Sequence, residues 1–129
     1  MKNLFYLFIF ITLCAGCNND SGTDTEEALR IRLANKSQYL YESIRVNTST
    51  GSVSFGDLSA MQESAYKEFE LAYRYAFIEL EIGGVIFTIQ PIDYVGETPL
   101  KNGKYTYEIR ANDSQDRYGK LSLSLVRDE

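Results

Sequence analysis

The sequence predicts an all-β domain, an antiparallel two-layer sandwich of about seven strands, and three observations carry that prediction. The first is the stretch from Tyr73 to Pro91, YRYAFIELEIGGVIFTIQP, where two alternating runs flank a Gly83-Gly84 pair. The second is that the other segments are short alternating runs separated by Gly, Asn, Asp or Ser, with no strong helical period. The third is one isolated long connection, PIDYVGETP from Pro91 to Pro99, whose two prolines and glycine keep it out of a central strand.

In chain order, Leu29 to Leu33 alternates Leu, Arg, Ile, Arg, Leu, a half-buried strand with Leu29, Ile31 and Leu33 inward and Arg30 and Arg32 in water. Asn35-Lys36-Ser37 interrupts the pattern. A second strand from about Tyr39 to Asn47 buries Ile44 and Val46, a turn around Gly51 follows, and Val53 with Phe55 starts a third strand that Gly56-Asp57 closes. Ser59 to Ala72 is rich in helix formers and offers Ser59 with Gln62 as a capping box, so a short helix competes with a loop and a strand near Tyr66 to Phe69. The thin apolar face of Met61, Ala65 and Phe69, in an all-β setting, favours the loop and strand.

The central hairpin is the best-specified element. With Gly83 and Gly84 as a two-residue loop, where the primed turns need φ > 0, Ile82 faces Val85, Leu80 faces Phe87 and Ile78 faces Ile89. One face then holds only Ala76, Ile78, Leu80, Ile82, Val85, Phe87 and Ile89, and a one-residue slip would scatter that set over both faces. The opposite face begins with Tyr73, Tyr75, Phe77, Glu79 and Glu81. Two strands are not stable alone in water, so the rest of the domain must cover the apolar side. After the crossover, Tyr105, Tyr107 and Ile109 share one face of another strand, Ala111 to Gly119 forms a polar turn, and Lys120 to Arg127 closes the domain with Leu121, Leu123 and Leu125 alternating.

Ahead of the domain, Lys2, the apolar run Leu4 to Leu13 and the small pair Ala15-Gly16 have the layout of a secretory signal. The stretch Leu13-Cys14-Ala15-Gly16-Cys17 resembles the lipobox of bacterial lipoproteins, which implies cleavage after residue 16 and lipidation of Cys17. It departs from the usual pattern in having Cys14 three before the lipidated cysteine, with Leu13 one further back. Choosing Cys14 instead would put bulky Leu13 at the cleavage position. Residues 17–27 carry Asp20, Asp24, Glu26 and Glu27 and no apolar residue after Cys17, so they read as a flexible acidic tether to a sandwich spanning 28–129. Acyl chains at Cys17 would hold the domain at a membrane.

Two further resemblances bear on the domain. Leu100, Gly103 and Tyr105 opening a strand look like the corner of immunoglobulin-like and transthyretin-like sandwiches, where a tyrosine hydroxyl pins the connection, which makes Tyr105 the corner residue. Together with the lipobox, the phrases FGDLS, AYRYAFIEL, IQPIDYVGETPL and NGKYTYEI resemble small β-sandwich lipoproteins of Bacteroidota, whose function is unknown. That likeness implies an envelope location, as an outer-membrane lipoprotein facing the periplasm or the surface, and brings no active residues with it.

Composition narrows the chemistry. Formal net charge is −5, and removing residues 1–16 takes away Lys2 and no acid, leaving 12 basic against 18 acidic residues. That balance argues against nucleic acid and against adhesion to anionic lipid headgroups. The absence of histidine removes the commonest general base and metal ligand, and both cysteines lie within the first 17 residues. No cofactor or metal motif is present. Glu79 and Glu81, two apart on one strand, place carboxylates roughly 6 to 7 Å apart, a spacing used by glycan-processing hydrolases, but on a wet face without a cleft. Asn112, Asp113, Ser114 and Asp116 crowd one turn without the spacing of a calcium loop. The expectation is therefore a membrane-anchored, non-catalytic domain with a binding or structural role. Its candidate binding face is Tyr73, Tyr75, Phe77, Glu79 and Glu81, offered to a glycan or an envelope protein unless another strand or the segment before Tyr73 covers the rings, with a glycan-processing hydrolase as the competing reading.

Overall fold

The computed structural model describes residues 28–129. The signal segment 1–16, the lipidation residue Cys17 and the tether 17–27 lie outside the described residues. Eight strands form: β1 (Leu29–Asn35), β2 (Tyr41–Asn47), β3 (Ser52–Leu58), β4 (Lys67–Phe69), β5 (Phe77–Ile82), β6 (Val85–Ile89), β7 (Gly103–Ala111) and β8 (Leu121–Arg127). They make two four-stranded sheets, ordered β4-β1-β7-β8 and β3-β2-β5-β6, which face each other as a sandwich.

The period of two accounts for most of the core. Ile31, Leu33, Tyr107 and Ile109 from one sheet meet Ile44, Val46, Ile78, Leu80 and Phe87 from the other, all essentially without exposed surface. The β5–β6 hairpin adopts the expected register, with Ile82 opposite Val85, Leu80 opposite Phe87 and Ile78 opposite Ile89. Its turn has φ of 59° at Gly83 and 86° at Gly84, both in the left-handed region that the tight turn needs. Burial fades toward the tip, where Val85 is half exposed. The Tyr105 hydroxyl donates to the Lys101 carbonyl oxygen at 2.7 Å, the pinning expected of the corner residue.

The loop and strand favoured between Ser59 and Ala72 form, with the three-residue β4 pairing antiparallel with β1 and no helix, so eight strands stand where about seven were expected. The structure departs from the expected elements in four places. One contact is parallel: β1 runs alongside β7 from Leu29 opposite Gly103 to Asn35 opposite Ile109, with the whole second sheet intervening in the chain. β2 starts at Tyr41 rather than Tyr39, and its inward residues are Tyr41, Ile44 and Val46, a spacing that strict alternation forbids. A bulge reconciles them, with Ser43 at φ 51° and the pairing to β3 shifted between Tyr41 and Ile44. β3 runs on through Gly56 and Asp57 to Leu58. Finally, the first arm of the hairpin begins at Phe77, so Tyr73 and Tyr75 lie in an irregular segment before it.

The strands define two ends. At one, the Gly103 amide donates to the Ala28 carbonyl at 3.1 Å, the Leu100 amide to Ala72 at 2.9 Å, and the Thr48 hydroxyl to Leu71 at 2.6 Å. The start of the described chain, the 70–76 segment and the crossover therefore share that end. At the other end lie the Gly83-Gly84 tip and the corner after β1, held by buried Asn35. The Asn35 amide nitrogen donates to the carbonyls of Tyr39 at 2.8 Å and Leu58 at 3.0 Å, while its oxygen accepts from the Ser37 amide and hydroxyl.

Candidate binding face

Of the five residues singled out by the sequence, Glu79 and Glu81 lie on the outward face of sheet β3-β2-β5-β6 with Phe77 at its margin, whereas Tyr73 and Tyr75 lie in the irregular segment before β5, where Tyr75 borders β8 of the other sheet. In the middle of the face, Glu79 on β5 is clamped between two guanidinium groups. Arg45 from β2 donates to its Oε1 at 2.7 Å, and Arg117, from the connection between β7 and β8, donates to its Oε2 at 3.3 Å. Cross-strand pairing explains the first contact, because Arg45 lies directly opposite Glu79. The second arises because the 112–120 connection folds back along the edge strand β6: the Thr88 amide donates to the Arg117 carbonyl at 2.9 Å, and Arg117 Nε donates to the Thr88 hydroxyl at 3.1 Å. That cover leaves Thr88 only 1% exposed although it points outward. It also satisfies part of an otherwise open sheet edge.

Next to the clamp is a hollow of about 360 Å³ lined by Ser43, Arg45, Ser54, Asp57, Glu79, Glu81 and Ile86 among others. Asp57 is fixed there by accepting from the Ser43 amide at 3.0 Å, a contact that the bulge in β2 makes available. Glu81 sits opposite Glu42 across the β2–β5 pair, two like charges facing the same side. The hollow thus offers hydroxyls, carboxylates and one guanidinium on a rigid sheet, suited to a polar ligand. Glu79 and Glu81 both border it, but both oxygens of Glu79 are already occupied by arginines.

The aromatic zone is built differently from the expected row of rings on a strand. Tyr94, from the crossover, stacks on Tyr73 with ring centroids 4.5 Å apart and planes 11° apart, and on Tyr75 at 5.8 Å and 21°. Arg74 lies over the Tyr75 ring at 5.3 Å and pairs with Glu97 at 3.3 Å, so both arms of the stack are tied to the crossover. Burial is the main cause that pushes the Tyr94 phenol above its ordinary value, and the neighbouring Tyr75 and Tyr73 push the same way. Phe77, at the start of β5, lies opposite Asn47 and lines a separate hollow of about 300 Å³ with Gln90, Pro91 and Ile92.

The remaining candidates resolve into structural roles. Arg30 pairs with Glu68 at 3.5 Å and Arg32 with Glu63 at 3.1 Å, so the outward arginines of β1 serve β4 and the bridge before it. In the 112–116 turn, the cation is supplied by the chain itself: the Lys120 ammonium, 3% exposed, donates to the carbonyls of Asn112 at 2.8 Å and Ser114 at 3.0 Å. It faces the rings of Tyr39 at 4.8 Å and Phe87 at 5.2 Å. Among the described residues there is no group of three or more acidic, histidine or cysteine side chains placed to hold a metal ion.

Sequence reasoning missed Arg45, Arg117, Tyr94 and Lys120. Only Tyr94 left a signal, as an aromatic ring in an otherwise polar connection between two prolines.

The fold and face define an all-β two-layer sandwich that displays a polar hollow and, apart from it, a stacked aromatic cluster. No protein-family model matches the chain, and no curated protein matches it. Among solved structures it is similar to the NMR structure of a protein from Eubacterium rectale, with 15% identity and a TM-score of 0.53, over 83% of this chain and 94% of that one. At that identity the likeness shows the fold alone.

Proposed function

We propose that the protein is a membrane-anchored lipoprotein of the bacterial envelope, of the small β-sandwich kind seen in Bacteroidota, with an immunoglobulin-like or transthyretin-like domain that binds or braces without catalysing a reaction. The observation that carries the non-catalytic reading is the double clamp on Glu79. A glycosidase pair needs one carboxyl free to give a proton and another free to attack or to activate water. Glu79 instead has a guanidinium on each oxygen, which suits a cross-strand brace. The anchoring follows from the order of signal layout, Ala15-Gly16, Cys17 and acidic spacer in the sequence.

The ligand class that fits the hollow is a glycan or a polar envelope protein surface. Two measurements test the reading. Cys17→Ser is expected to abolish palmitate labelling and membrane partition, and retained labelling overturns the anchor. Turnover on a polysaccharide panel that vanishes in Glu79→Gln or Glu81→Gln would establish the hydrolase instead.

A further inference from the structure

We propose that the crossover from Pro91 to Pro99 is a membrane-resting surface, with Ile92 and Val95 entering the outer edge of the bilayer to which the chain is tethered. The proposal rests on the anchored reading above and extends it from the acyl chains to the domain's own side chains. Three features converge on it.

The first is the tip itself. Ile92 is 96% exposed and Val95 86% exposed, the two most open large apolar side chains among the described residues. Single exposed apolar residues are ordinary, but these two share one projecting loop. Apolar ground continues beneath them, since hollows of about 300 Å³ flank Ile92, one bordered by Phe77 and Tyr94 and the other by Tyr75 and Ile89. Behind the aliphatic tip stands the stack of Tyr73, Tyr94 and Tyr75. Aliphatic side chains backed by amphipathic rings match the profile of a membrane interface, with the rings at headgroup level.

The second is where the chain enters the domain. Ala28 lies at the same end of the sandwich as the crossover, through the bonds from Gly103 to Ala28 and from Leu100 to Ala72. Residues 18–27 separate Cys17 from Ala28. Ten residues reach no further than about 35 Å. Acyl chains on Cys17 therefore join the bilayer to the domain at this end, and a domain drawn close by contact at the crossover holds the Gly83-Gly84 tip roughly 25 Å further off.

The third is charge. The tip carries Asp93 and Glu97, the latter paired with Arg74, and the chain is net negative. Attraction to anionic headgroups cannot drive the contact, so the surface fits a zwitterionic bilayer and depends on the anchor for proximity.

The chain contains no tryptophan, so Ile92→Trp in the full-length lipidated protein is the sole indole. On phosphatidylcholine vesicles with brominated acyl chains, its emission is expected to be quenched relative to unbrominated vesicles. Val85→Trp, at the opposite tip, is expected to keep its emission. Equal emission with and without bromine at both positions, or equal loss at both, overturns the proposal. Palmitate labelling of the same preparations separates the two ideas. Labelled, vesicle-bound protein with unquenched Ile92→Trp overturns the resting surface alone, whereas unlabelled protein that stays off vesicles overturns the anchored reading and the resting surface with it. Blue-shifted Ile92→Trp emission in detergent, with a doubled mass, assigns the tip to a second copy of the chain and also overturns the proposal.

Discussion

Tyr41 and Ile109 join the two sheets near the corner after β1: the Tyr41 hydroxyl donates to the Ile109 carbonyl oxygen at 3.0 Å, across 68 positions of sequence. The same oxygen accepts from the Lys36 amide at 2.9 Å, so both of its lone pairs are used. Two other tyrosines close connections in the same manner. Tyr105 pins the corner at Lys101, and Tyr107 donates to the Tyr73 carbonyl at 2.6 Å, fixing the irregular segment that carries the aromatic zone. Each ring fills core volume while its hydroxyl donates to a backbone carbonyl, which is how a buried tyrosine avoids a desolvation cost.

Removing the hydroxyl alone isolates that contribution. Tyr41→Phe keeps the ring in the core and leaves the Ile109 carbonyl its bond from Lys36, so the expected loss is about 1 kcal/mol. Urea denaturation should show a lower midpoint at an unchanged slope, because the surface exposed on unfolding is the same. A midpoint equal to wild type would mean that the cross-sheet bond adds nothing.

Alkaline pH should unfold the domain in a way that reports on Tyr107. Burial drives its phenol far above the ordinary value near 10, and burial raises Tyr41 as well. Between that ordinary value and the raised one, the unfolded chain has released protons that the folded chain still holds. Stability is therefore unaffected below about pH 10 and falls as pH rises beyond it. Tyr107→Phe should flatten this fall. In wild type, part of the tyrosinate absorbance should emerge together with unfolding; if all of it emerges in the folded protein, the argument fails.

How much of this was legible before the structure depended on how local the determining interaction was. The hairpin register followed from Gly83-Gly84 and the alternation on either side, all within one contiguous stretch. The inward sets of β1 and β7 followed from period two. Their parallel pairing did not, because it joins segments some seventy positions apart and nothing in either strand marks its neighbour's direction. The bulge at Ser43 was hidden for a different reason: Tyr41 reads as outward only if alternation is unbroken. Tyr73 and Tyr75 alternate as a strand would, yet Tyr94 packs against both rings, and regular pairing begins at Phe77. Glu79 was found as a carboxylate, while its partners Arg45 and Arg117 come from another strand and from a connection of the opposite sheet.

Lys120 offers a test of what organises the 112–120 connection. Its ammonium holds the Asn112 and Ser114 carbonyls and faces two aromatic rings. Lys120→Met keeps a long apolar stem but strands both acceptors, with an expected cost of about 2 kcal/mol. Calcium added to the wild-type protein should leave its melting temperature unchanged, since a ligand that binds only the folded state would raise it. A calcium-dependent rise would show that the acidic side chains of the turn bind the ion beside the lysine.

The stacked tyrosines make an ordered prediction about which ring matters most. Tyr94 contacts both Tyr73 and Tyr75, whereas Tyr75 contacts only Tyr94 within the stack and is half buried. Truncating Tyr94 to Ala removes two stacking contacts and releases the crossover from the sheet, for an expected loss of about 2 to 3 kcal/mol. Tyr75→Ala removes one contact and should cost about 1 kcal/mol. Tyr94→Phe should be close to neutral, because its hydroxyl reaches the Asn47 carbonyl only at 3.4 Å. The double variant Tyr75→Ala/Tyr94→Ala should then be less destabilised than the sum of the singles, by about 0.5 to 1.5 kcal/mol, since both remove the same pair. Strict additivity in urea midpoints would show that the two rings do not interact, and the crossover would then be held by Arg74 and Glu97 rather than by its aromatic ring.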